Sequence, residues 1–309
     1  MALKTAQQYI DSLRTLKSDV WLFGERIENF VDHPVVRPSI NAIALSYKVA
    51  HEPEYEDLAT TTSTLTGEKI NRFTSLFMST DDLVKKVKLQ RILGQRTGCC
   101  FQRCVGMDAI NAVYSTTFET DEKHNTQYHS RFKAWLKFIQ QNDLCVQGAM
   151  TDVKGDRGLR PSQQPDPDMF VHVVERRKDG IVIRGAKAHQ TGSVNSHEML
   201  IMPTLTMREG DEDYAVCCAI PSDSKGVHFI YGRQSCDKRK LEKGDIDVGN
   251  YQFGGQEALT VLDNVFVPWD RVFMCGEVDF SGMVVERFAS YHRQSYGGCK
   301  PGIGDVLVG

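Results

Sequence analysis

No stretch of this chain approaches the ~18 consecutive apolar residues that a helix needs to cross a bilayer, so a membrane-spanning role is not expected. The opening residues, MALKTAQQYIDSLRTL, lack the apolar centre of a secretory leader and pattern instead as an amphipathic helix. Blocks of like charge are missing too. With 37 Lys and Arg against 40 Asp and Glu, the net charge is −3, and neither nucleic acid nor an anionic membrane is an expected partner. There is no G-x-G-x-x-G and no P-loop, so phosphate cradles of those types are excluded. Internal repeats and low-complexity segments are absent. A polar tail is absent as well, and the closing GIGDVLVG reads as a truncation within a longer protein.

What is present fits a soluble globular protein: 309 residues, 41% hydrophobic and 25% charged. That length exceeds one hydrophobic core and predicts two or three domains. The nine cysteines (99, 100, 104, 145, 217, 218, 236, 275 and 299) come with no sign of export, so a reducing cytoplasm is expected. In that compartment clustered cysteines point to metal or redox chemistry before disulfides, and an odd count opposes complete pairing.

Residues 4–31 carry Tyr9, Ile10, Leu13, Leu16 and Val20 at helical spacing. DHPVVRP interrupts, and a second helix is expected near Ser39. Ser79-Thr80-Asp81-Asp82 is a strong helix start, hydroxyl caps followed by acids that complement the dipole. The helix it opens keeps Leu83, Val87, Ile92 and Leu93 on one stripe and is expected to run on through the first cysteines. Near residue 168 the period changes. MFVHVVERRKDGIVIRG reads as a hairpin turning at Lys178-Asp179-Gly180, and MLIMPTLTM, YAVCCAI, VHFIYG and ALTVLDNVFVP read as further strands. From Gly282 the pattern is helical again. The fold class is therefore α+β: an N-terminal helical domain (1–147), a β-domain (148–278) and the beginning of a C-terminal helical domain (279–309).

Residues 99–107 read CCFQRCVGM. On a helix Cys100 and Cys104, at i and i+4, share a face with Cβ atoms ~5–6 Å apart, while Cys99 points roughly 100° away. A single zinc needs sulfurs under ~4 Å apart, whereas a polynuclear cluster lets each thiolate bind its own iron. From the spacing alone, core packing is the commoner explanation of such a pair. A second group, YHRQSYGGCK, holds His292, Tyr296, Cys299 and Lys300. His292 and Cys299 share a helical face but lie ~10.5 Å apart along the axis, unless Gly297-Gly298 bends the backbone. A solvated helix end is the plain alternative. Taken together, the two groups offer four soft ligands.

Three polar stretches complete the candidates. AMTDVKGDRG (149–158) is a donor-rich loop suited to a cofactor or to a simple domain linker. KAHQTGSVNSHE (187–198) follows the hairpin, where loops on a rigid sheet often bind ligands; a polar turn is the other reading. Glu257 stands directly before an apolar strand, where a lone carboxylate is usually solvated, so an acid–base role needs support from elsewhere. Cys217, Cys218 and the RQSCD run with Cys236 have no partner at a ligand spacing and read as structural.

With these motifs in view, FGERIENFVDHPVVRPSINAIALSY, LGQRTGCCFQRCVGMDAINAVYSTTFE, NDLCVQGAMTDVKGDRGL, RGAKAHQTGSVNSHE, YGRQSCD, NYQFGGQEALTVLDNVFVPWDRVF and MVVERFASYHRQSYGGCK resemble the 4-hydroxybutyryl-CoA dehydratase/vinylacetyl-CoA Δ-isomerase family across essentially the whole chain. That family belongs with the oxygenase components of 4-hydroxyphenylacetate 3-monooxygenase and has an acyl-CoA dehydrogenase-like fold. The resemblance implies FAD, a 4Fe-4S cluster, an acyl-CoA substrate and a cytoplasmic homotetramer of the longer protein. Carried over by motif, the cluster ligands are Cys100, Cys104, His292 and Cys299, with no role for Cys99. Flavin contacts fall on Met150, Thr151, Asp152, Gly155, Asp156, Arg157, His189, Gln190 and Thr191, and Thr191 is the donor near the flavin ring. Catalytic roles fall on His292, Glu257, Tyr296 and Lys300, with a further catalytic Glu beyond residue 309. The implied reaction is radical dehydration of 4-hydroxybutyryl-CoA to crotonyl-CoA, with the cluster as Lewis acid, together with isomerisation of vinylacetyl-CoA. A flavin monooxygenase of the wider family would not need Cys100, Cys104 and Cys299. A zinc-stabilised binding fragment would hold no flavin.

Overall fold

The computed structural model describes residues 3–232 and 252–308; the RQSCD run with Cys236 lies outside them. The chain opens with α1 (Ala6–Leu13), set by a capping box between Thr5 and Gln8, which buries Tyr9, Ile10 and Leu13. The expected continuation of this helix does not occur. The chain turns into strands β1 (Asp19–Leu22) and β2 (Glu25–Ile27) through Phe23 and Gly24, both at positive φ, as a two-residue hairpin turn requires. Val20 and Leu22 alternate inward, and β1 lies parallel to the later strand β10 (Val227–Tyr231). Pairing with a distant edge has overridden a helical spacing.

Next come α2 (Arg37–Val49), the short α3 (Glu56–Ala59) and a hairpin of β3 (Thr60–Thr62) and β4 (Lys69–Asn71). Helix α4 (Thr80–Thr97) begins as its caps dictate: the Ser79 hydroxyl accepts from the Asp82 N–H, and the Asp82 carboxylate accepts from the Ser79 N–H. It stops at Gly98, whose φ of +61° closes the helix in the left-handed region that glycine tolerates. Cys99 and Cys100 therefore occupy a loop, not the expected helix, and α5 (Cys104–His124) starts afresh. Helix α6 (Tyr128–Gln141) and strand β5 (Val146–Ala149) follow.

The expected hairpin forms from β6 (His172–Arg176) and β7 (Gly180–Thr191). Strands β8 (Glu198–Ile201), β9 (Val216–Pro221), β10, β11 (Glu257–Pro268) and β12 (Val272–Cys275) complete two sheets. One runs β2-β1-β10-β11-β7-β6 and the other β12-β9-β8-β5. Helix α7 (Val278–Val308) is continuous through Gly297, Gly298 and Pro301, so the expected bend at the glycine pair is absent. One apolar core packs α1 and α2 against the larger sheet, and a second packs α4 to α7 around the smaller one. Gly106 lets α5 lie directly on β5, since a Cβ there would fall 1.9 Å from the Val146 carbonyl oxygen.

Candidate active site

The end of β7, the start of β11 and one face of α7 enclose a cleft of about 460 Å³. Met150, Thr151, His189, Gln190 and Thr191 form its β wall, Glu257 its floor, and Phe288, His292 and Tyr296 its helical wall. Five residues expected to touch a flavin thus face three expected to be catalytic. A bulge brings them there. Register slips between Ala258 and Thr260 of β11, opposite 187–190 of β7, and His189 is held at a φ of +54°. Bulges re-aim side chains at the rim of a sheet.

Glu257 is anchored by one oxygen. The Thr191 hydroxyl donates to its Oε1 at 2.6 Å, while Oε2 is buried with no partner. Burial pushes the Glu257 carboxyl above its ordinary range, opposed by the Thr191 hydrogen bond and by the nearby charges of His189 and Lys300. The Thr191 hydroxyl, expected to serve the flavin ring, is committed here to Glu257.

Close to Tyr296 of the helical wall lie the thiols of Cys100, Cys104 and Cys299. No disulfide joins any two of the described cysteines. Between Cys100 and Cys104 the chain makes a tight turn: Gln102 sits at a φ of +71°, and the Arg103 N–H donates to the Phe101 carbonyl at 2.9 Å. A buried amide clamp holds this turn. Gln102 Nε2 donates to the carbonyls of Ser39 and Gly254 at 2.9 and 3.2 Å, and its Oε1 accepts from Asn195 at 2.8 Å. Burial pushes the Cys100 thiol up to about 12, with the charges of Cys299, Cys99 and Glu257 adding to the rise. Cys104 is pushed well up by burial, then by Cys100, Asp108 and Cys299. Cys100, Cys104 and Cys299 therefore share one electrostatic neighbourhood although they come from a loop, a helix start and α7. Among the described residues no three His, Cys, Asp or Glu side chains stand as ligands of one metal ion.

His292 links the cleft to the interior. Its Nδ1 lies 3.0 Å from Asp108 Oδ2, and its ring stacks on Phe288 and meets Tyr296 edge-on, with centroids 5.3 and 4.7 Å apart. Lys300 is exposed and reaches back over the Tyr296 ring, 5.7 Å from its centroid.

Other expected flavin contacts do not line the cleft. Asp152 is buried against Lys187 at 2.8 Å and accepts from the Val171 N–H, which anchors the segment that carries Met150 and Thr151 just past β5. Gly155, Asp156 and Arg157 are exposed on a turn organised by Gln164, whose Oε1 accepts from the Asp156 N–H at 3.0 Å. Sequence reasoning missed Asp108 and Gln102. A lone acid in the apolar run CVGMDAI, one helical turn past Cys104, was the available signal for the first.

The family described as 4-hydroxyphenylacetate 3-hydroxylase N terminal matches residues 5–274. Over 308 residues the chain is 66% identical to 4-hydroxybutyryl-CoA dehydratase/vinylacetyl-CoA-Delta-isomerase of Clostridium aminobutyricum, covering 99% of this chain and 63% of that one. It is 27% identical over 279 residues to the 4-hydroxyphenylacetate 3-monooxygenase oxygenase component of Thermus thermophilus, covering 89% and 56%. A solved structure of oxygen-tolerant archaeal 4-hydroxybutyryl-CoA dehydratase from N. maritimus superposes with a TM-score of 0.95 at 56% identity, covering 99% of this chain and 61% of that one. The FAD complex of the HpaB oxygenase component shares the fold, with a TM-score of 0.80 at 24% identity and coverage of 98% and 62%. The chain spans less than two thirds of the length of these relatives.

Proposed function

Because the chain belongs to the 4-hydroxyphenylacetate 3-hydroxylase N-terminal family, we propose that it is the larger part of an enzyme that dehydrates 4-hydroxybutyryl-CoA to crotonyl-CoA and isomerises vinylacetyl-CoA. The observation that carries this reading is the electrostatic grouping of three thiols, half-buried Cys100 and buried Cys104 and Cys299, near a cleft that His292 and Glu257 share. A flavin monooxygenase has no use for those thiols. The homotetramer and cytoplasmic location implied by the resemblance belong to the same proposal; no helix among the described residues is long and apolar enough to cross a membrane.

The donor set fits both implied groups. Met150, Thr151, His189, Gln190 and Thr191 would hold FAD, and the unpartnered Glu257 Oε2 offers an acceptor beside it. Cys100, Cys104, Cys299 and His292 would hold a 4Fe-4S cluster, whose positive irons supply the charge that buried thiolates lack. Bound there, the flavin supplies one-electron chemistry and the cluster supplies Lewis acidity toward a departing hydroxyl.

The chain's own groups divide the remaining work. With Nδ1 turned to Asp108, His292 keeps the single Nε2 lone pair for the cleft, where it would serve as ligand or, when not bound to iron, as base for the acidified α-proton of the thioester. Glu257, its carboxyl raised by burial, holds or passes a proton through the free Oε2 while Thr191 fixes Oε1. Tyr296 and Lys300 orient the leaving oxygen or the carbonyl. Phe288 and Met150 help keep water out.

Anaerobic purification with iron, sulfide and flavin analysis tests the proposal. About four irons and one FAD per chain are expected. Flavin without iron would overturn it in favour of the monooxygenase branch. Cys104→Ala should lose the iron and Cys99→Ala should keep it; iron lost on Cys99→Ala alone would reverse the ligand assignment.

A further inference from the structure

Three helices meet behind His292 around a set of buried polar groups. Asp108 on α5 and Lys86 on α4 are both fully buried, and Lys86 Nζ lies 2.7 Å from Asp108 Oδ1. Lys86 also donates to the Tyr291 carbonyl at 2.8 Å. The Ser295 hydroxyl donates to Asp108 Oδ2 at 2.7 Å and accepts from the Gln90 amide at 3.0 Å. The same Oδ2 faces His292 Nδ1. A buried ion pair costs several kcal/mol of desolvation per ion, and apolar residues of equal volume often stabilise a core as well or better. Packing alone therefore gives no reason for charge at these two positions.

We propose that Asp108, held in place by Lys86 and Ser295, is the positioning residue for His292: it accepts the Nδ1–H, fixes that tautomer and presents the Nε2 lone pair to the cleft and its thiols. An ionised carboxylate can only accept, so the nitrogen facing it carries the proton. Carboxylates behind metal-binding histidines act in this way, setting ring orientation and basicity. The ring is further confined by Phe288 and Tyr296 on either side. The inference rests on the reading of His292 as ligand and base, but its first test does not depend on iron.

Solid-state NMR of the iron-free protein, labelled with 15N-histidine, reads the tautomer directly, and the His292 signal is the one lost in His292→Gln. Under conditions where the ring is neutral, the Nδ1–H form is expected. An Nε2–H form in the wild type overturns the proposal without recourse to any variant. The double variant Asp108→Asn/Lys86→Gln removes both buried charges together, so neither is left isolated. It is expected to lose the single tautomer and, after anaerobic reconstitution, to hold iron about 10–100-fold more weakly against a chelator. Wild-type tautomer and iron retention in that variant would also overturn the proposal. A wild type that shows the Nδ1–H form but binds no iron supports the positioning role while sinking the cluster reading.

Discussion

At the residue scale the cleft turns on Glu257, where burial and neighbouring donors pull in opposite directions and burial wins. Its folded-state pKa lies above the unfolded value, so ionising it costs more in the native protein. The stability linked to this group is fully present below the ordinary carboxylate range and is lost as pH rises through the raised folded value. Glu257→Gln keeps the Thr191 contact and has no charge to desolvate. Its melting temperature relative to wild type should therefore be lowest in acid, climb as pH passes through that window and then level off. Thermal melts across the acidic to neutral range check this, and a pH-independent difference would show that Glu257 titrates as an ordinary exposed acid. Much at this scale was legible. A Glu directly before an apolar strand, and a His and a Cys seven residues apart, were visible as chemistry in unusual places. Asp108 and Gln102 were not, because their meaning lies in partners at the far side of the fold: His292 is 184 residues from Asp108, and Gly254 is 152 from Gln102.

At the element scale the decisive contact is α7 against α4. Gly297 and Gly298 are adjacent, yet a Cβ at Gly298 would fall 2.6 Å from the Val87 carbonyl oxygen and 2.9 Å from Gln90 Cβ, whereas one at Gly297 would meet nothing within 4 Å. The pair that suggested a bend instead serves close packing on one side only. Gly298→Ala should destabilise by about 1–3 kcal/mol through overpacking and, by pushing α7 off α4, loosen Cys299 from the loop thiols. Gly297→Ala should stabilise by about 0.5–1 kcal/mol, the helix gain of Ala over Gly. Urea unfolding of both variants separates the two effects; changes of the same sign would refute the packing argument. The start of α4 was readable because Ser79 and Asp82 cap each other locally. Its end was readable as well, since Gly98 is a stop signal, but the apolar stripe leading up to it suggested that the helix went on. The consequence was a false premise for the cysteines: Cys100 and Cys104 come together through a constrained turn and a fresh helix start, not through i, i+4 spacing.

For the whole molecule, the order of helical, strand-rich and helical stretches reads as separate units, yet the N-terminal segment is woven into the larger sheet. Strand β1 pairs in parallel with β10, with Asp19 opposite His228, a partner that no local pattern announces. Tyr9 ties the same segment further in. Its hydroxyl donates to the Asn195 carbonyl at 2.7 Å, and its ring stacks on Tyr47 with centroids 4.6 Å apart. Asn195 in turn donates to Gln102 and to the Ser39 hydroxyl, so the tie continues to the turn between the cysteines. Tyr9→Ala removes a fully buried aromatic side chain and should cost about 3–5 kcal/mol. Two tryptophans can report how far that loss spreads: Trp21 stands on β1, while Trp135 is buried in α6, its indole N–H directed at Glu198. If the chain unfolds as one cooperative body, urea midpoints read from variants retaining only Trp21 or only Trp135 should fall together on Tyr9→Ala. A midpoint that falls for Trp21 while Trp135 holds would mean that the helical region is stable without the sheet. The cysteine turn would then owe nothing to the N-terminal anchor, because the clamp from Asn195 to Gln102 would be carrying no load between the two cores.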